Sequence, residues 1–132
     1  MTATAARMAE KGAEVSRILL PSLFNIFRLW KLTGREQMTL LGLTNEKTLY
    51  NWKRHPEKAQ LTPDLIERAS YLLGIYKSLQ ILFPTADNAD RWLSHPNDNP
   101  LFNGMPPLQR LLAGQMMDLA TVRQHLDAVR GA

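Results

Sequence analysis

Residues 92–114 read WLSHPNDNPLFNGMPPLQRLLAG, and this stretch decides the architecture of the second half of the chain. A helix end that carries Trp92 is followed by a loop rich in Asn, Pro and Gly. The loop ends at Pro106 and Pro107, which favour the first turn of a new helix, and Gly114 is expected to end that helix. The stretch holds no set of catalytic side chains. A long, specified loop between helices with apolar faces is more typical of a recognition surface than of an active site.

Outward from this stretch the sequence predicts helices and no β-strand, because apolar residues recur at helical spacing and no alternating pattern appears. Residues 1–20, whose start is rich in alanine, are expected to be a flexible segment. Helices are predicted after Pro21 to about residue 33, over 35–41, from Thr44 or Asn45 to 54, over 63–83, over 87–93, over 107–114, and from Asp118 to the end. The predicted fold is all-α, with an N-terminal helix-turn-helix bundle followed by a small α-helical domain.

The composition argues against several classes of protein. The chain has no cysteine, which excludes disulfides and thiolate metal sites, and its three histidines do not pair at metal-ligand spacing. No nucleophile–base pair, carboxylate pair or glycine-rich phosphate loop stands out, so we predict no enzyme activity, no cofactor and no metal. No apolar run reaches the roughly 18 residues that span a bilayer, which predicts no membrane contact and a cytoplasmic location.

The charge of the chain is unevenly distributed. Residues 1–77 hold twelve Lys and Arg against seven Asp and Glu, a net +5, whereas residues 78–132 hold four against five, a net −1. A basic front half fits a polyanion as partner. A solvated basic surface explains the same charge, so the balance alone leaves both interpretations open.

Two short helices joined at Gly42 form the layout of a DNA-binding helix-turn-helix. The second helix would expose amide, hydroxyl and cationic side chains; amides and hydroxyls suit base edges and cations suit phosphates. Tyr50 and Trp52 could be contact or core residues. The candidate DNA-binding residues are Arg35, Gln37, Thr44, Asn45, Lys47, Thr48, Asn51, Lys53 and Arg54.

The back half resembles the toxin-binding domain of the Xre/MbcA/ParS antitoxins, and residues 23–82 are similar to the Xre-like helix-turn-helix that precedes it in these proteins. The resemblance covers about 110 of the 132 residues and implies a helix-turn-helix domain over residues 21–84 and a toxin-binding domain over residues 85–132. The features that carry it in the back half are Trp92-Leu93, Pro96-Asn97, Leu101-Phe102, Gly104, Pro107-Leu108, Leu111-Leu112, Gly114 and a final amphipathic helix.

The resemblance implies an antitoxin of a type II toxin–antitoxin system. Its partner would be the toxin encoded by the neighbouring gene, often of the RES type that consumes NAD or transfers ADP-ribose. The antitoxin would cover the toxin's active site, repress its own operon by binding operator DNA, and form homodimers and larger toxin–antitoxin assemblies. The alternatives are a stand-alone helix-turn-helix repressor and an adaptor that has lost DNA binding.

The last helix is expected to enter or cover the toxin's cleft, with Arg123 or Arg130 in a polar subsite. Arginine and large apolar residues are favoured at the centres of protein interfaces. Trp92 fits a core position under the loop better than a contact position. The candidate toxin-binding residues are Leu101, Phe102, Arg110, Met116, Met117, Leu119, Val122, Arg123, Leu126 and Arg130.

Overall fold

The computed structural model describes residues 3–131, apart from the side chains of residues 8 and 9. Over these residues the chain forms helices and no β-strand, which confirms the predicted all-α fold. No helix in the described part is long and apolar enough to cross a membrane. The helices are α1 (Ala3–Leu29), α2 (Gly34–Leu41), α3 (Glu46–Arg54), α4 (Pro63–Leu82), α5 (Ala86–Arg91), α6 (Pro107–Leu111) and α7 (Met116–Gly131), with 3₁₀ turns at Pro56–Lys58 and Trp92–Ser94.

The first helix corrects the expectation of a flexible segment over residues 1–20. Residues 1 and 2 lie outside the described part, but α1 begins at Ala3 and continues through Pro21. Alanine has the highest helix propensity, which supports the first turns. Ser16 is buried, and its hydroxyl donates to the carbonyl of Ala59 at 3.2 Å, just after the first 3₁₀ turn. This tertiary contact, together with the burial of Leu20, holds the middle of α1 against the body of the protein.

The helices α3 and α4 begin at capping residues that the sequence indicates, whereas the cap of α2 corrects an expectation: the preceding helix was predicted to reach residue 33 and ends at Leu29, and Thr33 caps α2. Thr33 and Glu36 form a reciprocal capping box at α2, with bonds of 3.1 and 2.8 Å between each side chain and the other residue's backbone. At α3 the cap is Asn45, not Thr44: its Oδ1 accepts from the backbone N–H of Lys47 at 2.8 Å. Thr62 caps α4, which then runs for 20 residues. These caps satisfy N–H groups that the helices cannot bond internally.

The hydrophobic core is continuous between the two halves of the chain, and α4 lies at its centre. This helix packs against α1 and α2 on the front side and against α5 and α7 on the back side. Its buried residues Leu65, Leu72, Ile75 and Leu79 contribute to the same cluster as the buried residues of α1 and α7. The largest fully buried side chains are Phe27, Leu20, Leu23, Leu40, Leu72, Ile75, Leu79, Leu93, Leu111, Leu119, Leu126 and Val122.

Arg68 on α4 joins the α2–α3 turn to the α6–α7 turn. Its side chain is 11% exposed and forms an ion pair with Asp64 at 3.0 Å. The two terminal nitrogens donate to the carbonyl of Leu40 at 3.4 Å and to the carbonyl of Gly114 at 3.3 Å. Gly42 ends α2 with φ of 73°, a left-handed conformation that glycine adopts without strain. A Cβ at Gly42 would lie 3.1 Å from Nε of Arg68, so glycine also makes room for this side chain.

The loop after α5 is ordered by its own asparagines, as its composition predicts. Oδ1 of Asn97 accepts from the backbone N–H of Asn99 at 2.9 Å, and Oδ1 of Asn99 accepts from that of Leu101 at 3.0 Å. Backbone bonds between Asn97 and Met105 and between Gly104 and Asn97 close the loop. The loop therefore presents a fixed surface between α5 and α6.

Candidate functional site

The outward face of α3 carries side chains suited to DNA. Lys47, Asn51 and Arg54 are spaced at i, i+4 and i+7, so they lie on one face of the helix, and all three are exposed. Leu49, on the opposite face, is 7% exposed and belongs to the core. A helix held by its inner face while it presents amides and cations outward has the geometry of a recognition helix.

Other cations lie beside this face. The ammonium of Lys53 is 5.3 Å from the ring centroid of Phe24 on α1, a cation–π contact that directs it toward the α1 side of α3. The guanidinium of Arg54 donates to the hydroxyl of Tyr50 at 2.8 Å, and Tyr50 is 57% exposed. Trp52 is half-buried against the core. Tyr50 therefore belongs to the exposed face of α3 and Trp52 to its supporting side.

Most of the candidate DNA-binding residues lie at the surface, but Gln37 is buried. Arg35 and Thr44 are exposed and Thr48 is half-buried. Gln37 is 8% exposed, and its Nε2 donates to the carbonyl of Leu32 at 3.1 Å, so this side chain is part of the interior. Asn45 is exposed, but its Oδ1 is already the acceptor of the α3 cap.

Four candidate toxin-binding residues are core residues in the structure. Leu119 and Val122 are fully buried, and Phe102 and Leu126 are 4% and 2% exposed. Phe102 packs edge-on against Trp92 with ring centroids 5.7 Å apart, and against His125 at 5.8 Å. The apolar face of α7 faces α4 and the loop, so these four side chains do not belong to a contact surface. Val129, which follows Leu119, Val122 and Leu126 at helical spacing, is 53% exposed.

The three candidate arginines of the back half are bonded within the chain. Arg123 donates to the carbonyl of Ser70 at 2.8 Å and lies where a Cβ at Gly74 would be, 2.3 Å from its Nε. Arg130 donates to the hydroxyl of the buried Ser78 at 3.3 Å. Arg110 pairs with Asp118 at 2.8 Å and bonds the carbonyl of Leu101 at 3.3 Å. These bonds hold α7 on α4 and the loop on α6.

Two family descriptions match this chain. Residues 4–74 match the antitoxin Xre-like helix-turn-helix domain, and residues 78–131 match the antitoxin Xre/MbcA/ParS C-terminal toxin-binding domain. The chain belongs to the Xre/MbcA/ParS antitoxin family. The antitoxin is also similar to a protein of Sinorhizobium fredii (strain NBRC 101917 / NGR234) named "Uncharacterized protein y4oB", with 39% identity over 112 residues that cover 85% of this chain and 84% of the relative.

The exposed groups of the antitoxin's toxin-binding domain differ from those that the sequence indicates. Met117 is 72% exposed, and Leu101 and Met116 are half-buried. Met105, absent from the candidates, is 53% exposed in the loop. Also absent were Gln124 and Ala128, both exposed, which follow Met117 and the half-buried Thr121 along one face of α7. The sequence could have identified this exposed face, because positions 117, 121, 124 and 128 lie opposite the apolar positions of α7.

In the described part of the chain, no three His, Asp or Glu side chains are grouped so that they could hold a metal ion. The pKa of Tyr71 on α4 is raised because its hydroxyl donates to a carboxylate oxygen of Glu67 at 3.2 Å. This pair lies on α4, outside both candidate surfaces.

Proposed function

We propose that this antitoxin binds and neutralises a RES-type toxin, which consumes NAD or transfers ADP-ribose, and that it covers the toxin's active-site cleft. The toxin is encoded by the neighbouring gene. The single observation that carries the proposal is the union in one chain of a helix-turn-helix with a toxin-binding domain. The antitoxin acts by binding and not by catalysis, in the cytoplasm, as a homodimer that forms larger assemblies with the toxin.

The contact with the toxin centres on the outward face of α7, here called the α7 ridge: Met117, Thr121, Gln124 and Ala128. Its long apolar residue is an adaptable methionine, and its other three residues are small or uncharged. A helix with such a face can lie closely in a groove of a partner. Leu101, Arg110 and Met116 are half-buried and remain candidates beside it, and Arg110 pairs with Asp118, the residue after Met117. Arg123 and Arg130 bond α4 and hold α7 in place from the other side.

Repression of the operon is the second part of the proposal. The helix-turn-helix domain, residues 21–84, binds operator DNA through α3, and the toxin-binding domain comprises residues 85–132. Lys47 and Arg54 contact phosphates and Asn51 reads a base edge. The support is the exposure of these three side chains on one face of α3, together with the net +5 charge of residues 1–77.

Co-production of the antitoxin with the tagged product of the neighbouring gene tests the first part. The two proteins are expected to co-purify. Ala128→Arg places a long cation on the α7 ridge and should weaken the complex about 5- to 150-fold, because overfilling a close contact costs about 1–3 kcal/mol. A substitution is preferable to a truncation of α7, which would delete the core residues Leu119, Val122 and Leu126.

The matched control is Ala86→Arg at the exposed first residue of α5. It makes the same chemical change in the same domain but off the ridge, and it should leave co-purification unchanged. Equal binding by both variants would refute the α7 ridge as the contact. Absence of any complex with the unaltered antitoxin would refute the toxin as partner and leave a stand-alone repressor.

A further inference from the structure

A groove on the front half of the antitoxin is lined by three cations and no acid. The groove has a volume of about 600 Å³ and lies between the C-terminal part of α1, the α1–α2 turn and α3. Its cations are Arg28, Lys31 and Lys53, and Gln37 and Phe24 also line it. Arg28 and Lys31 were not among the sequence candidates for DNA contact.

None of the three cations forms an ion pair with an acid in the described part of the chain. The guanidinium of Arg28 donates to the neutral side chain of Asn25 at 2.8 Å, and the ammonium of Lys53 lies 5.3 Å from the ring centroid of Phe24. Arg28 and Lys31 are exposed, as is Lys53. Three like charges around one groove repel one another unless an anion joins them, so this arrangement favours an anionic ligand.

The acids on the far side of Arg28 and Lys31 have other partners. Glu36 accepts from the backbone N–H of Thr33 at 2.8 Å in the α2 cap. Asp87 pairs with Arg91, and Asp90 accepts from the side chain of Gln80 at 3.2 Å. Of these three acids, Asp87 is neutralised by Arg91, whereas Glu36 and Asp90 have neutral partners and keep their charge on the far side of Arg28 and Lys31. Among the described residues, no acid lines the groove itself.

Two local features set this groove apart from a chance cluster of lysines. Lys31 has φ of 58°, a left-handed conformation at the end of α1 where glycine is the usual residue, so a cation occupies a strained position. Gln37 is more than nine-tenths buried, and its Oε1 has no hydrogen-bond donor. Because Gln37 lines the groove, this oxygen is an unpaired polar atom at its wall.

We infer that this groove binds the DNA backbone at adjacent phosphates beside the segment that α3 reads. The inference rests on the proposed DNA binding by the helix-turn-helix domain and extends it to α1 and the α1–α2 turn. DNA is the favoured source of phosphate because Lys53 belongs to α3 and also lines the next groove, toward Arg35. A strand that follows α3 would thus pass from Arg35 over Lys53 to Arg28 and Lys31.

The double variant Arg28→Gln with Lys31→Gly tests the inference. Both side chains are exposed, and glycine suits the left-handed backbone of residue 31, so the melting temperature should not fall. Affinity for a duplex carrying the upstream sequence of the operon is measured by fluorescence anisotropy at 50–200 mM salt. The slope of log affinity against log salt should become shallower by about two, since each phosphate contact contributes about 0.9. The deficit relative to the unaltered protein should then shrink about twelvefold across this range.

The control variant Arg7→Gln with Lys77→Gln removes the same charge elsewhere. Both residues are exposed, and residue 7 lies 21 positions before Arg28, about 32 Å along the α1 axis. Its slope should match that of the unaltered protein. An unchanged slope in the Arg28/Lys31 variant, with DNA binding intact, would overturn the inference alone. If both variants lost the same amount of slope, non-specific attraction by net charge would explain the binding and the inference would be overturned. If the unaltered protein bound no DNA, both the inference and the proposed repression would be overturned.

Discussion

The packing of Arg123 against Gly74 of α4 predicts how a substitution at residue 74 changes the free energy of unfolding. Gly74 lies inside the 20-residue helix α4, where alanine is favoured over glycine by about 1 kcal/mol. A Cβ at this position would lie 2.3 Å from Nε and 2.4 Å from Cζ of Arg123. Gly74→Ala must therefore displace the arginine and lose its bonds to Ser70 and Asp127.

The two effects are of similar size. The lost hydrogen bond and the i,i+4 ion pair are worth about 1 kcal/mol together after allowance for a side chain that is one-third exposed. Gly74→Ala should then leave the free energy of unfolding nearly unchanged in the unaltered protein. In an Arg123→Ala background the same substitution should stabilise by about 1 kcal/mol, because nothing remains to displace.

Urea unfolding of the four proteins measures this coupling, expected to be about 1 kcal/mol. Gly12→Ala is the matched control, since a Cβ there meets no atom within 4 Å, and its effect should be independent of Arg123. If Gly74→Ala stabilised the protein equally with Arg123 present and with Arg123→Ala, the contact between Arg123 and α4 would be refuted. The arginine would then be a free cation, available to a partner as the sequence indicates.

Three further predictions concern the turn, the loop and the DNA surface. Gly42→Ala should lower the free energy of unfolding by about 1–2 kcal/mol in urea, because φ is 73° and Arg68 lies 3.1 Å from the new Cβ; an unchanged midpoint would contradict this geometry. Phe102→Ala should cost about 3–5 kcal/mol in the same assay, whereas Met105→Ala, at a residue 53% exposed, should change stability by less than about 0.5 kcal/mol; similar losses would show that the loop is not packed as described. In anisotropy titrations, Lys53→Gln with Arg54→Gln should weaken binding to operator and scrambled duplexes alike, and Asn51→Ala should reduce only the preference for operator; a uniform loss for Asn51→Ala would remove its role in reading bases.

The helical fold and several helix ends could be predicted from the sequence because local chemistry decides them. Thr62, followed by proline, begins α4, and Gly42 ends α2, as their positions in the sequence indicate. The middle of α1 was missed because it is held by a non-local hydrogen bond between Ser16 and Ala59. Because these two residues are 43 positions apart, the sequence pattern around neither of them indicates the bond.

The candidate surfaces were predicted less completely, and the reason is physical. A face of Leu119, Val122 and Leu126 suits both a core and a protein interface, because apolar burial stabilises both. Only the position of α4 shows that this face is internal. Likewise, the sequence does not show which group a cation will bond. Arg123 donates to the carbonyl of Ser70, which lies 53 positions earlier in the chain. The polar face of α7 was the better guide to an exposed surface.

Neutralisation of an NAD-consuming toxin can be followed by the concentration of NAD in cells. It is measured, together with growth, after induction of the neighbouring gene alone, with the antitoxin, and with its Ala128→Arg variant. With the neighbouring gene alone, NAD should fall and growth should stop. Both should recover with the antitoxin, and its Ala128→Arg variant should fail to restore them. Unchanged NAD and normal growth with the neighbouring gene alone would contradict a RES-type toxin as partner, and full recovery with the variant would contradict neutralisation through the α7 ridge.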